Sequence, residues 1–350
     1  MKYSNVFIET IQYELGPHII TTAQLEDKLE PLFENTFLQK GQLEILTGIR
    51  ERRFWDEDHT LGEHAAKACQ KALDKSLISA DQIGALAYCG VCNDGFEPAT
   101  ACSVAHALNL NKNAHVYDVR NACLGVISGI IQIANEIELK NIKAGLVVSC
   151  ESARQIVEST IDEMNHYKSV DFYKQAVATM TGGSAAVAVL LTDGSIGNKN
   201  NQKHILKGAV VRNAAQYHDL CHWGFDTKGM PTDAKVIMRT RAQEVLEYGI
   251  ELAKTTFDDF KKDFNLPYDK PDKFIGHQVG ALHHKKFYQA LNIDIKKDFC
   301  TYPFLGNTGT AGLPITAAIA DEKGFLKPND FTAFIGVGSG LNCSILGVQW

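Results

Sequence analysis

Positive charge is in short supply, long apolar runs are missing, and the chain's start lacks the marks of an export signal. The 350 residues include 35 Lys and Arg against 41 Asp and Glu, a formal charge of −6. That balance argues against a nucleic-acid surface, which needs clustered cations. It leaves room for an acidic carrier or a phosphate-bearing substrate, because local patches can oppose the net sign. Uninterrupted apolar runs are short, AAVAVLL at 185–191 among them, whereas a membrane-spanning helix needs about 20 apolar residues. The first segment, MKYSNVFIETIQYELG, has neither the basic start nor the apolar centre of a signal peptide. Cysteine occurs nine times, an odd number without disulfide-framework spacing. The expectation is a soluble cytoplasmic protein with reduced thiols.

What is present is apolar material, 45% of the residues, enough for one large core or two ordinary ones. Short β-rich runs alternate with helical patterns, the mark of an α/β protein with buried sheets. Strands are expected at 83–89, 114–119, 144–150, 184–191, 273–279, 331–338 and 343–350. Helices are expected at 62–76, 99–108, 123–140 and 238–264. The Gly- and Asn-rich segment Asp193–Gln202 reads as a link between two halves, 1–195 and 203–350. Each half has the same order of events, with a long helix between short strands and a final strand pair. The polar stretch 152–180 fits neither half and reads as an insertion, capping a site or forming a dimer edge.

Four segments carry chemistry. In YDVRNACLGVISGI (117–130) a strand gives way to an apolar helix near Cys123. A helix N-terminus favours thiolate over thiol, so Cys123 is either a nucleophile or a core cysteine. In FIGHQV (274–279), His277 follows an apolar strand, at the end of a sheet where α/β sites form. The alternative is a buried, satisfied His. His283 and His284 follow among lysines and read as solvated surface. In FLGNTGTAGLP (304–314), Asn307 stands at a loop-to-helix junction, as an N-cap or as an amide donor to a pocket. GVGSGLNCS (336–344) spaces three glycines two apart, as where backbone must approach a ligand closely. A thiol nucleophile with two donors is what thioester condensation requires, one oxyanion forming on the acyl-enzyme and one on an enolate.

Together these segments resemble the ketosynthase III branch of the thiolase superfamily, from TGIRERR (47–53) to Trp350. The resemblance implies a duplicated five-layer αβαβα fold and a homodimer. It implies that Cys123 carries the acyl group and that His277 and Asn307 bind the enolate oxygen. The backbone N–H groups of Cys123 and Gly340 would form the other oxyanion hole. TGGSAAVAVLL (181–191) resembles the glycine turn and strand that close the first half. FEPATA (96–101), RNACLG (120–125), GHQV (276–279), GSGLNCS (338–344) and 232–257 are similar to the acyl-CoA condensing enzymes of olefin biosynthesis. Those join two fatty acyl-CoAs into a 2-alkyl-3-keto acid with no cofactor beyond the thioester substrate. Glu97 decides between the branches. By itself it reads as an exposed loop carboxylate before Pro98. Its 26-residue offset from Cys123 fits the olefin type, in which it would reach the neighbouring subunit's site as an α-proton base.

Two features depart from the pattern. Leu46 precedes the 47–53 motif, and no Trp is there to clamp CoA, which leaves Arg50, Arg52 and Arg53 for its phosphates. His277-Gln278-Val279-Gly280 keeps the family's His but lacks its final Asn. Two other features read as packing. Cys89 and Cys92 have CxxC spacing without the second pair a zinc site wants, and Trp223 reads as core rather than as an acyl-tunnel wall. The competing functional readings are a decarboxylating synthase fed by malonyl-carrier protein, a pyrone- or resorcinol-forming ketosynthase, and a non-catalytic subunit of the same fold.

Overall fold

The computed structural model describes residues 1–198, 203–226 and 234–350. Nine strands share one sheet: β1 (Phe7–Leu15), β4 (Ala85–Tyr88), β5 (His115–Asp118), β6 (Ala144–Glu151), β7 (Ala185–Thr192), β8 (His204–Asn213), β11 (Lys273–Gly276), β12 (Phe331–Gly338) and β13 (Asn342–Gln349). Two small ribbons flank it, β2 (His18–Thr21) with β3 (Glu51–Phe54), and β9 (Cys221–Phe225) with β10 (Val236–Thr240).

The sheet runs β11-β12-β13-β8-β1-β7-β6-β4-β5 and repeats one pattern on either side of its centre. From β1 outward the pairings are antiparallel to β7, antiparallel to β6, then parallel to β4 and to β5. From β8 outward they are antiparallel to β13, antiparallel to β12, then parallel to β11. A lone parallel bridge between Phe274 and Asp298 stands where β5 stands in the first half. The two patterns meet at a short β1–β8 contact, Phe7 with Ile205 and Ile8 with His204. This is the duplicated thiolase fold.

Alternation along the strands explains its layers. Val187, Val189 and Leu191 of β7 face one core, and Ala186, Ala188 and Leu190 face another. A strand buried on both faces needs apolar residues at every position, hence the unbroken run at 185–191. The helices Gly125–Glu138 and Gly312–Glu322 fill the central core. Leu61–Ser76 and Thr100–Ala107 cover one outer face, and Ala242–Asp263 and Ala281–Ala290 the other.

The insertion at 152–180 forms two helices, Arg154–Tyr167 and Val170–Ala176, which pack against the β9–β10 ribbon. The start of the helix expected at 238–264 is divided between β10 and a turn, and the helix begins at Ala242. Of the expected link, 199–202 lie outside the described residues.

Arg52 does not face solvent, contrary to the role expected of it. It is 0% exposed, donating to the Met180 carbonyl at 3.2 Å and to Thr22 Oγ1 at 2.9 Å. Burial lowers its pKa to about 10. It holds the β2–β3 ribbon to the segment before β7 and is closed to CoA.

Candidate active site

Cys123 lies in a tight turn, Ala122–Leu124, that feeds directly into the helix Gly125–Glu138. Ala122 before it has φ +45°, a left-handed conformation that costs a residue with a Cβ roughly 1–3 kcal/mol and recurs at active sites. Three fastenings hold the turn in place. Asn342 donates to Asn121 Oδ1 at 3.1 Å, and Asn121 donates to Ser128 Oγ at 2.8 Å. The third is at Val126, whose N–H donates to Thr310 Oγ1 at 2.7 Å. Thr310 belongs to the turn that carries Asn307, so one hydroxyl ties that turn to the nucleophile's helix.

Leu124 accounts for two of the three spaced glycines. A Cβ on Gly336 would come within 2.6 Å of the Leu124 side chain, and one on Gly338 within 3.1 Å. The close approach expected there is to the Cys123 turn, not to a ligand. Gly340 has φ +133°, which a side chain rarely adopts. Its neighbour Ser339 reaches the cavity wall.

The cavity is about 340 Å³, and Cys123 and Asn307 both line it. Asn307 is fixed by its backbone, its N–H donating to the Thr181 carbonyl at 2.8 Å and its own carbonyl accepting from Gly183 at 2.9 Å. His277 is not among the residues that line the cavity; its Cβ lies 3.5 Å from where a Cβ on Gly336 would stand. Its backbone N–H donates to the Ile335 carbonyl at 2.9 Å, and its ring Nδ1 is buried without a partner. Burial lowers its pKa to about 4, helped by His283, so the ring is neutral at physiological pH.

The thiol is not activated in the way the helix N-terminus implied. Burial pushes the Cys123 pKa up to about 12, and the Cys221 thiol and Glu151 carboxylate push it the same way. Desolvation is the largest of these influences. Iodoacetamide alkylation of Cys123 in the free protein should therefore rise about tenfold per pH unit from pH 7 to 9, following the thiolate fraction. A rate already at plateau near pH 7, read by peptide mass spectrometry, would contradict this.

Several lining residues were not legible beforehand. Glu151 ends β6 and is 3% exposed in the wall. Its carboxylate accepts from the Val91 N–H at 2.9 Å and the Cys92 N–H at 3.1 Å, while burial raises its pKa. A carboxylate directly after an all-apolar strand was the available signal. Trp223, read as packing, lines this cavity together with Cys221 and Met238 from the ribbon. Ala153, Ile156 and Thr179 of the 152–180 insertion also line it, so the insertion caps the site.

An outer groove of about 1000 Å³ adjoins the cavity, sharing Val91, Arg120, Ser152, Ile156 and Trp223 with it. Its cations are Arg120, Arg154 and Lys235; Arg50 and Arg53 line neither space. Glu97 is exposed on the loop before the helix Thr100–Ala107 and lines neither space of its own chain, although its neighbour Phe96 borders the groove.

Fold and cavity define a condensing enzyme of the thiolase class. The family described as 3-oxoacyl-[acyl-carrier-protein (ACP)] synthase III C terminal matches residues 263–350. A β-ketoacyl-[acyl-carrier-protein] synthase III of Clostridium tetani is 24% identical over 87% of this chain and 88% of its own. An acyl-CoA:acyl-CoA alkyltransferase of Shewanella oneidensis is 49% identical over the full length of both chains, and one of Xanthomonas campestris is 31% identical over the same span. The crystal structure of cerulenin-bound Xanthomonas campestris OleA superposes with a TM-score of 0.92 at 31% identity, covering 100% of this chain and 98% of that one. The chain belongs to the OleA family of acyl-CoA:acyl-CoA alkyltransferases.

Proposed function

We propose that this chain joins two fatty acyl-CoAs head to head by a Claisen condensation without decarboxylation. The observation that carries the reading is the convergence of Cys123 and Asn307 on one cavity, backed by a neutral His277, in a chain of this family. Residues 1–195 supply the nucleophile, and 203–350 supply the two enolate donors.

In the first half-reaction the Cys123 sulfur attacks the thioester carbonyl of one acyl-CoA. The thiol proton leaves with the departing CoA, so a neutral thiol gives acyl-Cys123 and CoA-SH with no net charge. The backbone N–H groups of Cys123 and Gly340 hold the oxyanion. The second acyl-CoA then enters, and the Glu97 carboxylate of the partner subunit in a homodimer removes its α-proton. His277 and Asn307 donate to the enolate oxygen; a neutral imidazole still has one N–H to give. The enolate carbon attacks the acyl-Cys123 carbonyl, and the Cys123 thiolate leaves and is reprotonated. Hydrolysis of the remaining thioester yields the 2-alkyl-3-keto acid and a second CoA. Arg120 and Lys235 of the outer groove are the cations placed to meet CoA phosphates, in the role expected of Arg50, Arg52 and Arg53.

The glutamate assignment has support from the OleA relative. Among the solved forms of that protein are variants at one cysteine, one histidine and one glutamate, and the glutamate precedes the cysteine by 26 positions. Glu97 precedes Cys123 by the same interval.

The test is incubation of the pure protein with myristoyl-CoA as sole substrate, following free CoA and lipid. Release of CoA with a long-chain ketone, formed as the β-keto acid loses carbon dioxide, is the expected result. Acylation of Cys123 with no further product until a malonyl or β-ketoacyl thioester is added would overturn it in favour of a ketosynthase of the initiating or pyrone-forming type.

A further inference from the structure

Behind the His277 segment, three side chains of unlike chemistry converge. His284, read from the sequence as solvated surface, has a side chain only 7% exposed, and that of Asp298 is fully buried. His284 Nε2 lies 2.7 Å from Asp298 Oδ2 and 3.3 Å from Cys300 Sγ, and that sulfur is 3.7 Å from the same Asp298 oxygen. Both partners approach one ring nitrogen. A Cys–His–Asp relay would place them on opposite nitrogens, so that the ring could pass a proton between them. A single N–H on Nε2 can point at only one of the two, whereas a cation at the centre serves all three.

The spacing fits a particular ion class. Zinc, about 2.0–2.1 Å from nitrogen and oxygen and about 2.3 Å from sulfur, sets tetrahedral donors about 3.3–3.6 Å apart. The two sulfur edges are already within a few tenths of an ångström of that, and the N···O edge needs only to open from its hydrogen-bonded 2.7 Å. The surroundings have what a metal site uses beyond its ligands. The Tyr288 hydroxyl donates to the other carboxylate oxygen, Oδ1, at 2.6 Å and fixes its rotamer. Cys300 is partly exposed, which leaves a route in and a fourth position for water.

We propose that His284, Asp298 and Cys300 form a binding site for a divalent soft cation of the zinc type, distinct from the condensing cavity. Binding displaces the thiol proton of Cys300 to solvent and needs no oxidant or reductant. The ion would clamp the helix Ala281–Ala290, which follows His277, to the segment 298–300, which leads to the Asn307 turn. Its role is structural, holding the two enolate donors in register.

The test is cobalt titration of the chelator-stripped, full-length protein. Expected are one equivalent of Co2+ per chain, a thiolate-to-cobalt charge-transfer band with tetrahedral visible bands, displacement by Zn2+, and a raised melting temperature. Cys123→Ala should keep all of these. Cys300→Ser should lose the charge-transfer band and the melting shift, and His284→Gln should lose the stoichiometric binding. If His284→Gln fails to fold, Cys300→Ser decides alone, since its change of one atom leaves the Tyr288–Asp298–His284 contacts in place. No cobalt–thiolate band in the wild type, or an equal band in Cys300→Ser, overturns the proposal. Because every readout is spectroscopic or thermal, the outcome is independent of whether the chain condenses acyl-CoA.

Discussion

Replacing Cys123 with alanine should reduce acyl transfer to background, a loss of roughly 10⁴-fold or more, as expected when a covalent nucleophile is removed. The readout is CoA release from acyl-CoA, with intact-protein mass to detect the acyl adduct. The wild type should gain one acyl mass, located by peptide mapping at Cys123, and the variant none. The cavity makes this a sharp test, because it offers a second thiol. Cys221 lines the same wall, its Sγ 3.4 Å from Thr240 Oγ1. If Cys221 were the acceptor, Cys123→Ala would still acquire the adduct. Position favours Cys123, which stands in a turn at the start of a long helix, whereas Cys221 lies on a two-stranded ribbon. The substitution should leave the fold intact, since it removes a single sulfur atom from the cavity wall and alanine suits the turn. An unchanged melting curve would separate lost chemistry from lost structure.

Cys123 was legible because it stands in a turn between an apolar strand and an apolar helix, and Asn307 because it stands in a Gly- and Thr-rich turn that enters an apolar helix; that the two share a pocket followed from the family resemblance. Strands buried on both faces were legible for a similar reason, as their every-position apolar runs have few other homes. β1 and β8, at the middle of the sheet, were missed. Their letters, FIETIQYEL and HILKGAVVRN, mix charges with β-branched residues. The structure resolves the conflict at Glu9 by covering its side chain completely and pairing it with Lys203 at 3.1 Å. A pairing between residues that far apart in sequence leaves no local trace.

Arg52 was misread for the same reason. An arginine in a basic cluster is a natural phosphate ligand until the fold covers it, and only the packing of β3 against the 180–184 segment shows that it is covered. The thiol's protonation was misread because a helix N-terminus is visible in the letters, whereas the burial of Cys123 beside Glu151, Cys221 and the insertion depends on tertiary structure. Desolvation, which leaves no mark in the letters, is the largest influence raising the thiol's pKa.

Glu97→Gln should separate the two half-reactions. Acylation needs no α-proton removal, so the variant should still release one CoA per Cys123 and carry the acyl adduct. Condensation should fall about 10²- to 10⁴-fold, the usual contribution of a positioned general base. Within its own chain Glu97 is exposed and lines neither the cavity nor the groove, so a role as base requires a second copy. The loop is well placed to be offered to one. Asp118, ending the outermost strand β5, accepts from the Thr100 N–H and the Ala101 N–H, both at 2.9 Å, and from Asn93 Nδ2 at 3.1 Å. The loop is thereby fixed to the open edge of the sheet, and it presents Phe96, 78% exposed, beside the carboxylate. Mixing two inactive variants tests the trans arrangement directly. A dimer of one Cys123→Ala chain and one Glu97→Gln chain contains one site with both an intact thiol and an intact glutamate, if the glutamate acts across the interface. Random assembly should then restore about a quarter of wild-type condensation, since half the dimers are hybrids and each has one working site of two. If the glutamate acted within its own chain, every hybrid site would lack one group and no activity would return. Wild-type condensation by Glu97→Gln alone would remove the residue from the mechanism altogether.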